Sequence, residues 1–225
     1  MIWDPVSTLR HALWIGGSQW AGKSTVAGML AERFGLTHYH YDYHSARGHE
    51  DRRIARQFRS EGAATERDFE RIWVTQSPEQ MAADAHRDFA ERFDFVLDDL
   101  RALVTPVPIV ADGWGLRPEL VVAATGAPER MVVLVATDDF RRRQATHLPR
   151  AGAVHAEVSD PAAAQRNRLE RDRLLAADAA RRAGDLGVRV IEVDGSHDVR
   201  ATAEAVTAHF AAFLPRPLTA AGRRP

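Results

Sequence analysis

A chain of 225 residues with 45% hydrophobic and 27% charged content can bury the core of one sizeable α/β domain and leaves little room for a second. It contains no cysteine, which excludes disulfides, thiolate-held zinc, iron–sulfur clusters and thiol catalysis and is compatible with a reducing cytoplasm. A formal net charge of −1 argues against a general nucleic-acid binder.

The N-terminus has no basic start followed by a long apolar run, so it does not read as a secretion signal. No stretch approaches the roughly 18 apolar residues of a membrane span. The expectation is a cytoplasmic protein without membrane contact. The charge balance hides local asymmetry, because arginines cluster at 141–143 and 166–173. Of the 30 lysines and arginines, Lys23 is the single lysine.

In chain order, strand-like and helix-like segments alternate, as in a mostly parallel sheet covered by helices. His11 to Gly16 reads as a short apolar strand, followed by a glycine-containing loop. Thr25 to Phe34 carries Val26, Met29, Leu30 and Phe34 at helical spacing, and Gly35 stands where helices favour a glycine stop. Thr37 to Tyr41 reads as a second strand ending at Asp42. From about Glu50 to Val104 the reading is helical. Phe89, Phe93, Val96, Leu97, Leu100 and Leu103 form its longest apolar stripe, and Pro78 can open that last helix. Val107 to Ala111 is a third strand, with Pro108 awkward near its start. Pro118 to Ala124 reads as a short helix, and Met131 to Ala136 is the clearest strand, apolar throughout. Asp138 to Gln144 starts a helix, residues 146–160 read as a loop, and Pro161 to Ala183 is a long arginine-rich helix. Val188 to Val193 is a fifth strand and Val199 to Leu214 a last helix. Residues 215–225 read as a flexible tail, so the domain is expected over residues 1–214.

The chemistry enters at Gly17-Ser18-Gln19-Trp20-Ala21-Gly22-Lys23-Ser24, followed by Thr25, which satisfies G-x-x-x-x-G-K-[ST] in full. Glycines let the backbone turn tightly, so that successive amides point into one concavity. The helix that begins after Gly22 adds unpaired N–H groups and the positive end of its dipole. A strand precedes the pattern and a helix follows it, which is the context the motif requires. Residues 17–25 are therefore expected to hold the phosphates of ATP, with Lys23 at the β- and γ-phosphates and the Ser24 hydroxyl on Mg²⁺. A lysine ammonium fits an enclosed phosphate site that excludes the wide arginine fork.

With this loop and an acid after the second strand, the chain resembles the P-loop small-molecule kinases: nucleoside monophosphate kinases, shikimate and gluconate kinases, and the chloramphenicol phosphotransferase type. The resemblance covers most of residues 11–210 as an order of elements, and only the phosphate loop is a specific motif. It implies a three-layer α/β/α P-loop NTPase fold with a mostly parallel five-stranded sheet, an acid after the second strand and an arginine-bearing helical lid.

In such kinases an acid at the place of Asp42 contacts, orients or deprotonates the acceptor. A turn-forming aspartate is the rival reading. Asp112, after the apolar run VPIVA, fits a Walker B carboxylate for Mg²⁺; Asp98 and Asp99 are rivals that the helical spacing around them assigns to a helix. His38 and His40 alternate, so one strand face carries both. A zinc site is conceivable for them, since histidine is the commonest metal ligand, but no closed ligand set accompanies them, and the preferred reading is substrate contacts or solvated strand-end residues. Arg47 reads as an anion contact or a surface residue. The lid is expected between Arg141 and Arg173, where arginines would stabilise the transferring charge. Arg168 and Arg171, three apart and so on one helix face, are the candidates. Trp20 and Trp114 are expected to border the site, and Arg117 loosely parallels an acceptor-side arginine.

The leading reading is a kinase that moves the γ-phosphoryl of ATP to a small-molecule hydroxyl or phosphate. A nucleotide-dependent ATPase or regulatory switch would use the same loop without an acceptor. A guanine-reading N-K-x-D motif is absent, since Lys23 is the sole lysine. The acceptor and the oligomeric state are left open.

Overall fold

Side-chain alternation along the central strand divides the interior into two cores. The computed structural model describes residues 9–62, 67–147 and 158–218. In β1 (Leu13–Gly17), Leu13 and Ile15 join one core and Trp14 the other, all three fully buried. Strands β2 (Thr37–His40), β3 (Ile109–Asp112), β4 (Met131–Ala136) and β5 (Arg189–Val193) complete the sheet. Its order is β2-β3-β1-β4-β5, parallel at every junction.

Parallel neighbours need crossover connections, and helices supply them on both faces. Helices α1 (Lys23–Phe34) and α8 (Val199–His209) cover the Leu13 and Ile15 face, with Val26, Leu30, Val206 and Phe210 at the contact. The Trp14 face is covered by α4 (Pro78–Ala102), α5 (Pro118–Thr125) and α7 (Pro161–Asp185) through Phe93, Val96, Leu100, Val121 and Ala179. Burial on two faces explains why β4 is apolar at every position. The fold class is the expected one: an α/β/α P-loop fold with five parallel strands.

Several boundaries shift for physical reasons. β2 stops at His40, and α2 (Tyr41–His44) begins at once, so Asp42 lies in the first turn of a short helix rather than at a strand end. A π-helical turn at Ser45–His49 leads into α3 (Glu50–Glu61), which closes at Gly62 with a left-handed φ of 73°. The expected long helix is therefore divided. A second π-helical turn occupies Arg71–Thr75, and α4 starts afresh at Pro78. Ser77 and Gln80 form a capping box there: the Ser77 hydroxyl accepts from the Gln80 amide and the Gln80 side chain accepts from the Ser77 amide. Pro108 stays outside β3, where its carbonyl accepts from the Thr37 amide at 2.9 Å. α6 (Asp138–His147) extends past Gln144 and takes up Thr146 and His147, which had read as loop; residues 148–157 lie outside the described residues. At the C-terminus, the Leu218 amide donates to the Arg33 carbonyl at 2.9 Å, and the rest of the tail, 219–225, lies outside the described residues.

Gly17 sits at the exit of β1 with φ 116°, and a Cβ there would fall 2.1 Å from the Leu134 carbonyl oxygen. Gly17→Ala is expected to destabilise the fold by at least about 1–3 kcal/mol from backbone strain alone, read as a lowered midpoint in urea unfolding.

Candidate active site

The phosphate loop joins β1 to α1 at the carboxyl edge of the sheet, where open α/β folds bind ligands. Its first residues are fastened to β4. The Ser18 amide donates to the Leu134 carbonyl at 2.9 Å, and the Ser18 hydroxyl accepts from the Ala136 amide at 2.8 Å. Trp20 (φ 67°) and Gly22 (φ 77°) both adopt left-handed backbone, the turns that bend successive amides toward one concavity. Gly22 also caps α1. Lys23 is buried, and its ammonium donates to the Ser18 carbonyl at 2.6 Å, drawing the loop across itself.

Ser24, one residue into α1, donates its hydroxyl to Asp112 Oδ2 at 2.7 Å. Asp112 is fully buried at the end of β3, and its other oxygen, Oδ1, lies 2.6 Å from His38 Nε2 and 3.1 Å from His40 Nδ1. Burial opposes ionisation of Asp112, but the hydrogen bonds from His38, His40 and Ser24 outweigh it and hold the carboxyl well below the usual range. The same hydrogen bond to Asp112 raises the His40 imidazole above its ordinary value, against the effect of burial.

Asp42 approaches from α2. The Trp114 amide donates to its Oδ1 at 3.4 Å. Tyr41 fixes this approach, since its ring lies directly on the backbone of Gly113 and Gly115. A Cβ at Gly113 would fall 2.4 Å from Tyr41 Cβ, and one at Gly115 2.2 Å from Tyr41 Cζ. Burial pushes the Asp42 carboxyl above its ordinary value, with the charges of Lys23 and His40 pulling the other way.

A cavity of about 290 Å³ lies between these groups, lined by Gln19, Trp20, Gly22, Lys23, Ser24, Thr25, His40, Asp42 and Arg168. Ala21 is buried beneath it, and Gly17 and Ser18 line a small neighbouring space with Trp114 and Arg117. Arg168, on α7, stands over the Trp20 ring with its guanidinium carbon 5.5 Å from the centroid. Arg171, three residues on, does not line this cavity. It is buried beside Asp172, between the rings of Trp73 (5.2 Å) and Trp114 (5.4 Å). There it faces a second hollow, of about 480 Å³, with Arg71, Met81, Gln76 and Arg92.

Other candidates turn out to be braces. Arg117 is buried and pairs with Asp178 while donating to the Leu175 carbonyl, so it ties α5 to α7. Asp99, on α4 as expected, accepts from Tyr39, His49 and Arg52 and holds α3 in place. Arg47 is exposed and lies over the Tyr43 ring. In the expected lid, Arg141 pairs with Asp138 and Arg173 with Glu170, whereas Arg150 lies outside the described residues. Sequence reasoning missed Tyr41 and Trp73. The pattern Asp112-Gly113-Trp114-Gly115 carried a signal for the first, because two closely spaced glycines invite a ring onto the backbone.

No protein-family model and no curated protein sequence matches the chain. Among solved structures, TT1252 from Thermus thermophilus is similar in fold: TM-score 0.50 and 22% identity over 89% of this chain and 96% of that one. Two others are a shikimate kinase from Bacteroides thetaiotaomicron (TM-score 0.48, 11% identity, 89% and 97% covered) and a gluconokinase from Sinorhizobium meliloti 1021 (0.45, 16%, 90% and 92%). The strand order and the placement of the loop between β1 and α1 are those of an α/β/α P-loop fold. Among the described residues no helix is long and apolar enough to cross a membrane.

The raised Asp42 carboxyl has a consequence for stability. An unfolded aspartate ionises near pH 3.9, whereas folded Asp42 holds its proton to higher pH, so the folded state loses stability as pH rises through that window. Asp42→Asn keeps an acceptor for the Trp114 amide and removes this penalty. Its thermal midpoint without ligand is expected to exceed that of the wild type at pH 7, and the difference to shrink below about pH 4. Thermal scans at the two pH values check this.

Proposed function

We propose that this chain is an ATP- and Mg²⁺-dependent phosphotransferase that moves the γ-phosphoryl group of ATP to a hydroxyl or phosphate of a small-molecule acceptor. The observation that carries the reading is the convergence of Lys23, Ser24, Asp42 and Arg168 on one cavity at the mouth of the phosphate loop.

The loop amides and Lys23 would hold the triphosphate. The Ser24 hydroxyl and Asp112 Oδ2, 2.7 Å apart, are hard oxygen donors of the kind Mg²⁺ takes. The ion would draw negative charge from the β- and γ-phosphates. Asp42, with its carboxyl made more basic by burial, suits the task of receiving the acceptor's proton as the acceptor oxygen bonds to phosphorus and the bond to ADP breaks. Arg168, which lines the same cavity, would stabilise charge on the transferring group.

The second hollow supports an acceptor rather than water alone. Its volume of about 480 Å³ lies in the range of small-molecule sites, and Trp114 joins it to Asp42. Walls of Trp73, Trp114, Arg71 and Arg171 suit a ring-bearing acceptor with negative charge.

Screening ATP consumption against nucleosides, nucleotides, sugars and antibiotics is expected to find an acceptor that stimulates turnover. Lys23→Ala should lower that turnover on the order of a hundredfold or more; full activity in this variant would refute the assignment. Two further substitutions are expected to separate the chambers in steady-state kinetics. Arg168→Ala should lower kcat at least about tenfold, whereas Trp73→Ala should chiefly raise KM for the acceptor.

A further inference from the structure

We propose that His38, His40 and Asp112 form a binding site for a first-row transition metal ion, of the zinc and cobalt class, separate from the Mg²⁺ position and filled without nucleotide. The placement follows from strand geometry. On β2 the two histidines are two residues apart and so share a face. The parallel register sets His40 opposite Asp112 and His38 opposite Val110, which puts both imidazoles beside the carboxylate on the face that α1 covers.

One ring nitrogen from each histidine and one carboxylate oxygen lie within 4.8 Å of one another. The separations from Asp112 Oδ1 are 2.6 Å to His38 Nε2 and 3.1 Å to His40 Nδ1. Ligands at about 2.0–2.2 Å from a tetrahedral metal lie about 3.4 Å apart, so the His40 contact must open by about 0.3 Å and the His38 contact by a little under 1 Å to admit an ion. Two imidazoles and a carboxylate are a ligand set for zinc or cobalt, and a poor one for magnesium, which takes oxygen donors and keeps its water.

The two oxygens of Asp112 serve different partners. Oδ2 faces Ser24, where the proposed Mg²⁺ belongs, and Oδ1 faces the histidines. The buried carboxylate is thus a shared wall between two sites of different hardness. Three protein ligands leave a coordination position open to water or substrate, the pattern of a reactive rather than a purely structural site. Another trio, His86, Glu119 and Asp178, has comparable spacing, but its carboxylates already bind Arg117, Arg181 and Arg182, whose charges repel a cation.

The test uses the full chain without an affinity tag, stripped of metal and free of nucleotide. Calorimetry with zinc chloride is expected to give one site per chain that millimolar Mg²⁺ does not displace, and cobalt(II) a visible ligand-field spectrum. His38→Gln and His40→Gln should each weaken binding more than about tenfold, with the fold checked by circular dichroism. Lys23→Ala, which impairs the nucleotide site and removes a positive charge felt at His40, should keep or strengthen zinc binding, so failure here and failure of the kinase reading are separable. The proposal is overturned if no zinc binds, if binding requires nucleotide, or if the isotherm survives both histidine changes and is lost instead in His86→Ala.

Discussion

A carboxylate with no exposure to water needs partners if it is to stay ionised, and Asp112 finds three, on two other elements. Ser24 reaches it from the first turn of α1, and His38 and His40 reach it from β2. Removing any of these contacts leaves a buried charge short of compensation. These contacts tie the first turn of α1 to β3 and add side-chain bonds to the backbone pairing of β2 with β3. Since α1 begins at Lys23, fixing its first turn also fixes the phosphate loop that feeds it. The loop is fastened from the opposite side by Ser18, which bonds to β4 at Leu134 and Ala136. Two anchors on two strands leave the amides between them aimed at one space.

Two aspartates near that space are driven in opposite directions. Asp112 is surrounded by donors and stays ionised, whereas Asp42 has one long contact to a backbone amide and its carboxyl is raised by burial. One environment suits holding a cation, the other suits exchanging a proton, and their separation is the usual way a site assigns distinct tasks to chemically identical groups. Asp42 is held there by its neighbour. Tyr41 lies flat on Gly113 and Gly115, so the residue after it must emerge beside Trp114. The short helix at Tyr41–His44 stands where a strand end was expected.

What the sequence made legible was local and periodic. The apolar run of β4 coincides with its observed bounds because no other element competes for it. The phosphate loop declares itself through residues that have few physical alternatives, a glycine turn and one lysine. Asp112 was legible as an acid closing an apolar strand. Contacts between distant segments were not. The contact of the histidines at 38 and 40 with Asp112 could not be read because Asp112 lies 72 positions beyond His40 and is brought close by parallel pairing of β2 with β3. Arg168 and Arg171 share a helix face, as spacing required, but one turn of α7 is enough to carry them into different chambers. Periodicity reports which way a side chain points and is silent on what it meets.

The distribution of cations follows the same distinction. Several arginines in this chain close ion pairs between segments: Arg33 with Glu204, Arg52 with Asp99, Arg92 with Glu50, Arg117 with Asp178. A planar fork with five donors suits such work, because each pair can satisfy several acceptors at once. At position 23 the surroundings differ. The ammonium is buried against a backbone carbonyl inside a tight turn. A guanidinium placed there would bring more donors than the turn has acceptors and would fill the concavity that the loop amides enclose. A compact ammonium fits against the Ser18 carbonyl without filling that concavity. A chain whose other 29 lysine-or-arginine positions are all arginine therefore keeps its one lysine where the charge must be compact.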